Sequence, residues 1–274
     1  MDSYSALIYR SVKKLFCNLA EPFLPKLLDR TTILGFHIIE ENRIDGLPPK
    51  IFEEIVKDVK DNWNIVSLEN LLSNPNGEKI ALTFDDGYSS VYQYAFPILE
   101  KYNIPASLFL PTFFINGTYD NKKRDLMSLH NSQFMTWHQV KEMANLFTVE
   151  AHTHMHQYCK KYNDPALKAD IEENISQIIT NTNRRPIALA YPGGTYNDFH
   201  SSMPVLLKSL NIPFGVTTVF GPIGLGGFPY FCPRVIIENS DQLSDVRAKL
   251  EGNRDAIRLL HRIKSYKSLR LCNW

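Results

Sequence analysis

The sequence predicts an α/β fold, in which helices surround a mostly parallel sheet. Two observations support this fold class. Short runs rich in β-branched residues alternate with helical patterns from about residue 32 to residue 252. The composition, with 44% apolar and 22% charged residues, is that of an ordinary globular protein. Strands that alternate with helices pair in parallel, and seven such units are enough for the sheet to curl into a barrel.

The predicted strands span residues 32–39, 79–84, 106–110, 147–151, 187–191, 214–218 and 233–237. One predicted helix begins at Pro49, and the others span residues 89–102, 136–145, 165–181, 204–210 and 240–250. The helix over 165–181 has clear start signals, because Asp164 can serve as its N-cap and Pro165 takes its first position.

A single barrel domain is predicted over residues 31–252, because no repeat, low-complexity tract or linker divides this region. The flanking segments, 1–30 and 253–274, carry basic amphipathic helical patterns. We interpret them as peripheral helices that pack on the barrel with their basic faces in water. Contact of these basic ends with the inner face of a membrane is the alternative.

Charge and cysteine content narrow the class of protein. The formal net charge of +1 gives no basic excess, so nucleic acid is not an expected partner. Four scattered cysteines without a Cys-x-x-Cys pair are interpreted as free thiols of a reducing compartment. The first residues lack the pattern of a secretory signal, and no run approaches the roughly 18 apolar residues of a membrane span. The sequence therefore predicts a soluble cytoplasmic protein and leaves its oligomeric state open.

Two adjacent carboxylates, Asp85 and Asp86, follow the predicted strand 79–84 and precede Gly87. In parallel α/β folds, ligands bind at the carboxyl ends of the strands. Neighbouring carboxylates there repel each other unless a cation or strong donors share the site. A simple Asp-Gly turn, with one carboxylate capping the next helix, is the alternative interpretation of this pair.

A second cluster, His-Thr-His-Met-His at positions 152–156, also follows a predicted strand. His152 and His156 are four residues apart, a spacing that suits a transition metal. With a carboxylate from the other strand end they form a two-His, one-carboxylate set that leaves coordination positions open for water. Thr153 is expected to orient one of the ligands, and Cys159 is a weaker rival ligand.

These two clusters resemble the motifs of the polysaccharide deacetylases, carbohydrate esterase family 4. Residues 83–87 match the family's T-F-D-D-G motif, and residues 152–156 match its H-[ST]-x-x-H motif. The resemblance covers about residues 32–240 and implies a distorted (β/α)7 barrel that removes acetyl groups from N-acetylated sugars. It also implies that Asp85 is the general base and that Asp86 and the two histidines hold one divalent metal, with zinc preferred over Co, Ni, Fe or Mn.

The next motif departs from the family's usual R-P-P-Y-G form, because residues 190–194 are Ala-Tyr-Pro-Gly-Gly. This resembles a branch with a Y-P-x-G form, which includes the poly-N-acetylglucosamine deacetylases. The resemblance assigns Gly193, through its N–H, and Tyr191 to the oxyanion and substrate region. The arginine that normally holds the base is absent here. Arg234 on the last predicted strand is the expected replacement, and we also assign it to the substrate and oxyanion region. A surface arginine is the alternative.

The family also needs a histidine as general acid, and the chain offers two candidates. The same branch carries this histidine on its first strand in a Y-H-x-I pattern, which residues 36–39 match except at Phe36. His37 would therefore lie at a strand end beside the other site residues. His261 fits the L-x-H pattern of other members, but it lies in the basic C-terminal segment, and we favour His37.

Together these features predict a metal-dependent hydrolase that deacetylates the N-acetylated sugars of a polysaccharide, oligosaccharide or glycan precursor. Two alternatives remain: a non-catalytic carbohydrate-binding protein on the same fold, and a metallohydrolase of non-sugar amides. The segments 112–133 and 221–230 are long or turn-rich, and we interpret them as parts of the substrate groove. A simple insertion for the first segment and an ordinary turn-rich loop for the second are the alternatives.

Overall fold

The structure is a computed structural model that describes residues 16, 30–115, 133–161, 164–224, 228–258 and 261. In this part, one sheet contains β1 (Thr32–Phe36), β2 (Asn64–Ile65), β3 (Lys79–Asp85), β4 (Ala106–Leu110), β5 (Phe147–Ala151), β6 (Ala188–Ala190), β7 (Phe214–Phe220) and β8 (Cys232–Ile236). The α-helices of the same part are α1 (Pro49–Asn62), α2 (Leu68–Ser73), α3 (Phe96–Tyr102), α4 (Trp137–Glu142), α5 (Asp164–Thr182), α6 (Met203–Ser209) and α7 (Leu243–Leu250).

The sheet closes on itself as a seven-stranded parallel barrel, which confirms the predicted fold. β1 pairs in parallel with both β8 and β3, so the seven strands other than β2 form a closed ring. β2 pairs only with β3 and lies outside the ring. The barrel is distorted at β6, which pairs with β5 through Ala151 and Leu189 alone, and between β7 and β8, where the register shifts.

Strand β3 shows how the sequence places a carboxylate inside the barrel. Its side chains alternate between two faces, as in any strand. Leu82 and Phe84 belong to the main core between the strands and the helices, whereas Ala81 belongs to a second cluster that fills the barrel. Thr83 and Asp85 share the face of Ala81. Asp85, as the last residue of β3, therefore lies on the interior face at the mouth of the barrel.

Helix α5 covers β5 from the outside. Its buried face carries Leu167, Ile171, Ile175 and Ile178, at the spacing of a helix with one apolar side. Asn174 lies on the same face and is fully buried. A buried amide needs hydrogen-bond partners, and those of Asn174 lie in the candidate site described below.

The predicted strands and helices match the observed ones to within a few residues, but two short elements were missed. β2 has two residues and α2 has six, which is too short for a clear periodic pattern. α2 is nevertheless marked by its cap, because Oγ of Ser67 accepts a hydrogen bond from Asn70 N at 3.2 Å. The predicted helix over 89–102 contains a π-helical stretch, Val91–Ala95, before α3.

The predicted peripheral segments lie largely outside the described residues. Where the C-terminal segment is described, Ala256 and Ile257 are buried in the main core, and Arg30 donates to Asp255 at 2.7 Å. No helix in the described ranges is long and apolar enough to cross a bilayer. The domain boundaries, the membrane contact and the cytoplasmic location stay predictions. The predicted groove segment 112–133 lies mostly outside the described residues, as does part of 221–230.

Candidate active site

Side chains from the ends of β3 and β5 meet at the mouth of the barrel. Asp86 follows β3 directly, and His152 and His156 follow β5. Nε2 of His152 lies 3.3 Å from Oδ1 of Asp86, and Nε2 of His156 lies 3.0 Å from the same oxygen. Their ligand atoms all lie within 4.8 Å of one another. The structure thus brings together the three residues predicted as metal ligands, which we call the ligand cluster.

The orientation of the side chains in this cluster suits a cation. Nδ1 of His152 lies 2.7 Å from the carbonyl oxygen of Ala190. A carbonyl only accepts, so Nδ1 donates to it, and Nε2 is the ring atom that faces Oδ1 of Asp86. This oxygen is buried and has no hydrogen-bond partner in the described part of the chain. A divalent cation would satisfy both atoms, and two imidazoles with one carboxylate form a ligand set of catalytic zinc.

The charge of Asp86 agrees with this role. Burial alone raises the pKa of this carboxyl, but the imidazoles of His156 and His152 more than offset that effect. The pKa of Asp86 is therefore well below its usual value. Asp86 is an anion at neutral pH, as a carboxylate ligand must be.

The backbone of the ligand cluster is strained. Asp86, Thr153 and His156 have φ angles of 70°, 59° and 53°, in the left-handed region that favours glycine. Each such residue costs on the order of 1–3 kcal/mol and persists only where its surroundings hold it. Oγ1 of Thr153 is buried without a hydrogen-bond partner among the described residues. The structure therefore gives Thr153 no hydrogen bond with which to orient a ligand.

Two side chains of α5 hold this loop instead, and the sequence analysis missed both. Oδ1 of Asn174 accepts a hydrogen bond from His152 N at 3.0 Å. Asp170 accepts from His154 N at 2.7 Å and from Met155 N at 3.1 Å. The sequence did contain a signal, because Asn174 interrupts the apolar face of the predicted helix 165–181.

Asp85 is bound by a fully buried arginine. Nη1 and Nη2 of Arg234 donate to the two carboxylate oxygens of Asp85 at 2.7 and 2.6 Å. Nε of Arg234 donates to the carbonyl of Thr217 at 2.9 Å, which fixes the guanidinium plane. Burial raises the pKa of Asp85, but the charge and hydrogen bonds of Arg234 lower it by more than burial raises it. The pKa of Asp85 therefore lies below its usual value. We call Asp85 and Arg234 the base–arginine pair.

Arg234 is the arginine that contacts the predicted base, as the sequence analysis expected. It is 0% exposed, so the alternative of a surface arginine is wrong. For the same reason its assignment to the substrate and oxyanion region is corrected. The side chain of Arg234 is fully buried and its N–H groups donate to Asp85 and Thr217, so it does not contact substrate.

His37 lies next to the base–arginine pair. Its Nε2 is 3.8 Å from Oδ2 of Asp85, and its side chain is 38% exposed. It lines a cleft of about 280 Å³, the His37 cleft, together with Tyr88, Asp45, Glu238 and Asn239. The rival candidate, His261, accepts a hydrogen bond from the N–H of Phe220 at 3.3 Å. His37 is therefore in reach of both the base and a bound ligand.

The end of β6 forms a turn that requires glycine. Gly193 and Gly194 have φ angles of 74° and 67°, and a Cβ on Gly193 would lie 2.6 Å from a ring carbon of Tyr158. Thr218 fixes the turn, because its Oγ1 donates to Gly193 O at 2.7 Å and its N donates to Gly194 O at 2.9 Å. Gly193 is exposed, so its N–H stays a candidate donor to an oxyanion.

Tyr191 does not lie in the substrate region, and this assignment was wrong. Its side chain is 0% exposed and belongs to the main core outside the barrel. Its hydroxyl donates to the carbonyl of Tyr230 at 2.7 Å. The physical reason is strand alternation: Ala190 belongs to the cluster inside the barrel, so the next side chain points to the helices.

The chain is similar to known deacetylases. Residues 73–203 match the model of the polysaccharide deacetylase family. Over 168 residues the chain is 27% identical to the poly-beta-1,6-N-acetyl-D-glucosamine N-deacetylase of Staphylococcus aureus (strain MRSA252) and 30% identical to that of Staphylococcus epidermidis. These matches cover 58% of this chain and 54% of each relative. The chain thus spans about half the length of the curated relatives that it matches.

Solved structures share the fold. The Streptococcus pyogenes deacetylase PplD in complex with acetate superimposes with a TM-score of 0.68 at 22% identity, over 82% of this chain and 99% of that chain. IcaB from Ammonifex degensii superimposes with a TM-score of 0.70 at 20% identity, over 82% and 98% of the two chains. At these identities the likeness establishes the barrel, and the chemistry has to be argued from the site itself.

Proposed function

We propose that this chain, whose residues 73–203 match the model of the polysaccharide deacetylase family, removes acetyl groups from the N-acetylated amino sugars of a polysaccharide. The observation that supports this proposal is that a carboxylate held by an arginine, Asp85, directly precedes Asp86 of a cluster that could hold a metal ion. A module that only binds carbohydrate needs neither a fixed carboxylate nor a converging set of metal-ligand side chains. The curated relatives are named for poly-β-1,6-N-acetylglucosamine, and we propose a polymer of this class as the substrate.

The ligand cluster would hold one divalent cation, and we propose zinc, because two imidazoles and one carboxylate are common ligands of catalytic zinc. When bound, the cation would polarise the acetyl carbonyl and lower the pKa of a water molecule from about 15.7 towards about 7. Asp86, whose pKa is well below its usual value, has the ionised form that metal ligation requires.

Asp85 would take the proton of the attacking water, as a general base. Arg234 keeps this carboxylate ionised and fixes its plane through two parallel hydrogen bonds. The same contact lowers the basicity of Asp85, so the proton that it accepts is readily passed on.

His37 would donate a proton to the nitrogen of the departing amine. Its partly exposed ring lines the His37 cleft, where the sugar that carries this nitrogen would lie. The 3.8 Å between Nε2 of His37 and Oδ2 of Asp85 allows the proton from water to replace the one that was donated. The N–H of Gly193 would stabilise the developing oxyanion, because the turn is already held by Thr218.

The proposal is tested by measuring acetate release from β-1,6-linked N-acetylglucosamine oligomers, together with zinc content. Wild-type protein loaded with zinc should release acetate. Asp85→Asn should keep zinc and lose about 10²–10⁴-fold in turnover, whereas Asp86→Asn should lose both zinc and turnover. Glu54→Gln, an exposed carboxylate on α1, is the matched control and should behave like wild type.

Two outcomes would contradict the proposal. Zinc-loaded wild type that releases no acetate from any N-acetylated glycan, yet hydrolyses simple amides, would support a metallohydrolase of non-sugar amides. Protein that binds the oligomers without hydrolysing any amide would support a carbohydrate-binding role.

A further inference from the structure

The loop that carries the two histidines of the ligand cluster donates three backbone hydrogen bonds to one helix. Within residues 152–156, the backbone N–H groups of His152, His154 and Met155 all donate to side chains of α5. The acceptors are Asn174 for the first of these groups and Asp170 for the other two. Asp170 and Asn174, one helical turn apart, are called the α5 pair.

Asn174 also ties this loop to the neighbouring strand. Its side-chain amide donates to the carbonyl of Leu110, at the end of β4, at 2.9 Å, and to Oγ1 of Thr112 at 3.0 Å. Oγ1 of Thr112 in turn lies 2.9 Å from Nδ1 of His154. All the polar atoms of this buried side chain are therefore directed at the mouth of the barrel.

The ligand loop needs such support because its own backbone does not favour the observed conformation. Thr153 and His156 have φ angles of 59° and 53°, and a β-branched residue is especially unfavourable there. Without outside contacts, the loop would relax away from this arrangement.

We propose that the α5 pair consists of positioning residues that hold residues 152–156 in the metal-binding conformation before the metal binds. Neither residue touches the cation or the substrate. The pair acts through His152 and through the turn that leads to His156. This inference rests on the proposed function, because it takes the ligand cluster to be a metal site.

The position of Asn174 supports a specific role over simple packing. It occupies a place on the apolar face of α5 where its neighbours are isoleucines and leucine. A leucine there would fill a similar volume without requiring three hydrogen bonds. An asparagine is favoured only if the groups that it binds need partners, and those groups belong to the loops at the barrel mouth.

The test is a zinc titration of the full chain, with the metal alone as the probe. Asn174→Leu removes all the hydrogen bonds of the amide, and Ile178→Ala is the matched control, because Ile178 is buried one turn further along the same face. We expect Asn174→Leu to raise the Kd for zinc by about 10–100-fold. Ile178→Ala should lower the denaturation midpoint and leave the Kd unchanged.

Two further variants keep the proposal testable if Asn174→Leu does not fold. Asp170→Ala removes both carboxylate oxygens that accept hydrogen bonds from the loop, whereas Asp170→Asn keeps one accepting oxygen. The Kd for zinc should therefore rise in the order wild type, Asp170→Asn, Asp170→Ala. In metal-free protein, amide hydrogen exchange of residues 152–156 should accelerate in the same order.

The outcomes separate this inference from the proposed function. Tight zinc binding by wild type and equally tight binding by Asn174→Leu and Asp170→Ala would overturn the positioning role. An increase in Kd that follows the loss of stability equally in Ile178→Ala would overturn it as well. Absence of zinc binding by wild type would overturn the metal site itself, whatever the variants do.

Discussion

The base–arginine pair and the ligand cluster lie side by side at the barrel mouth, yet they are completed in different ways. In the pair, both residues belong to regular strands, and the charge of Asp85 is neutralised by Arg234 within the chain. In the ligand cluster, Asp86 and His156 have strained backbones in loops, and the Nε2 atoms of two histidines face one oxygen of Asp86. The pair is complete on its own, whereas we propose that the cluster is completed by a cation and supported by α5.

This difference shows how adjacent carboxylates obtain different roles. Asp85 is the last residue of β3, lies on the interior face and accepts two hydrogen bonds from the guanidinium group of Arg234. Asp86 follows in a left-handed conformation, which directs its carboxylate to the histidines. We propose that environment, rather than sequence position, assigns Asp85 to proton transfer and Asp86 to metal ligation. The following predictions test this separation, from the largest expected effect to the smallest.

The largest effect is expected from Arg234→Leu, which leaves a buried carboxylate without its partner. The free energy of unfolding should fall by about 3–5 kcal/mol, and turnover should fall with it. Chemical denaturation measures the first effect, and acetate release measures the second. The pKa of Asp85 is depressed in the folded state, so the pair stabilises the fold above the unfolded pKa of about 3.9. This contribution is lost as the pH falls through the folded pKa.

The double variant Arg234→Leu/Asp85→Leu is the control for this prediction. Removal of both charges should restore much of the stability, because no buried charge is left unpaired. A double variant as unstable as Arg234→Leu alone would show that the arginine acts through packing rather than through its carboxylate.

His37→Ala should lower turnover by about 10²–10⁴-fold, because the amine would depart without a proton donor. The zinc content and the denaturation midpoint should stay close to those of wild type, since the ring is partly exposed and outside the ligand cluster. His261→Ala is the paired variant, and it should keep its turnover. If the large loss occurred in His261→Ala instead, the assignment of the general acid would be reversed.

Zinc binding at the ligand cluster should raise the free energy of unfolding. Zinc at about 100 times its Kd should stabilise the folded state by about 2.7 kcal/mol, and a chelator should remove this gain. His156→Ala should show a much smaller gain, whereas Arg234→Lys should keep it. Denaturation curves with and without zinc measure the difference. An equal gain in wild type and His156→Ala would mean that zinc binds elsewhere.

The sequence predicted most of the barrel and the ligand cluster because their signals are local. Strands alternate with helices, and the ligands directly follow strand ends, so position along the chain translates into position at the mouth. Arg234 was also predicted, from its place on the last strand. The α5 pair was missed because its hydrogen bonds cross from a helix to a loop. Such contacts depend on packing and leave only the polar interruption at Asn174 as a trace.

Tyr191 shows the opposite error, in which a motif was given more weight than the strand pattern. Its motif position suggested substrate contact, but alternation from Ala190 places it among the helices. We therefore expect the smallest effect here. Tyr191→Phe loses one hydrogen bond to Tyr230 and should lower the free energy of unfolding by about 0.5–1.5 kcal/mol. Turnover and KM for N-acetylglucosamine oligomers should stay unchanged, and a selective rise in KM would return Tyr191 to the substrate site.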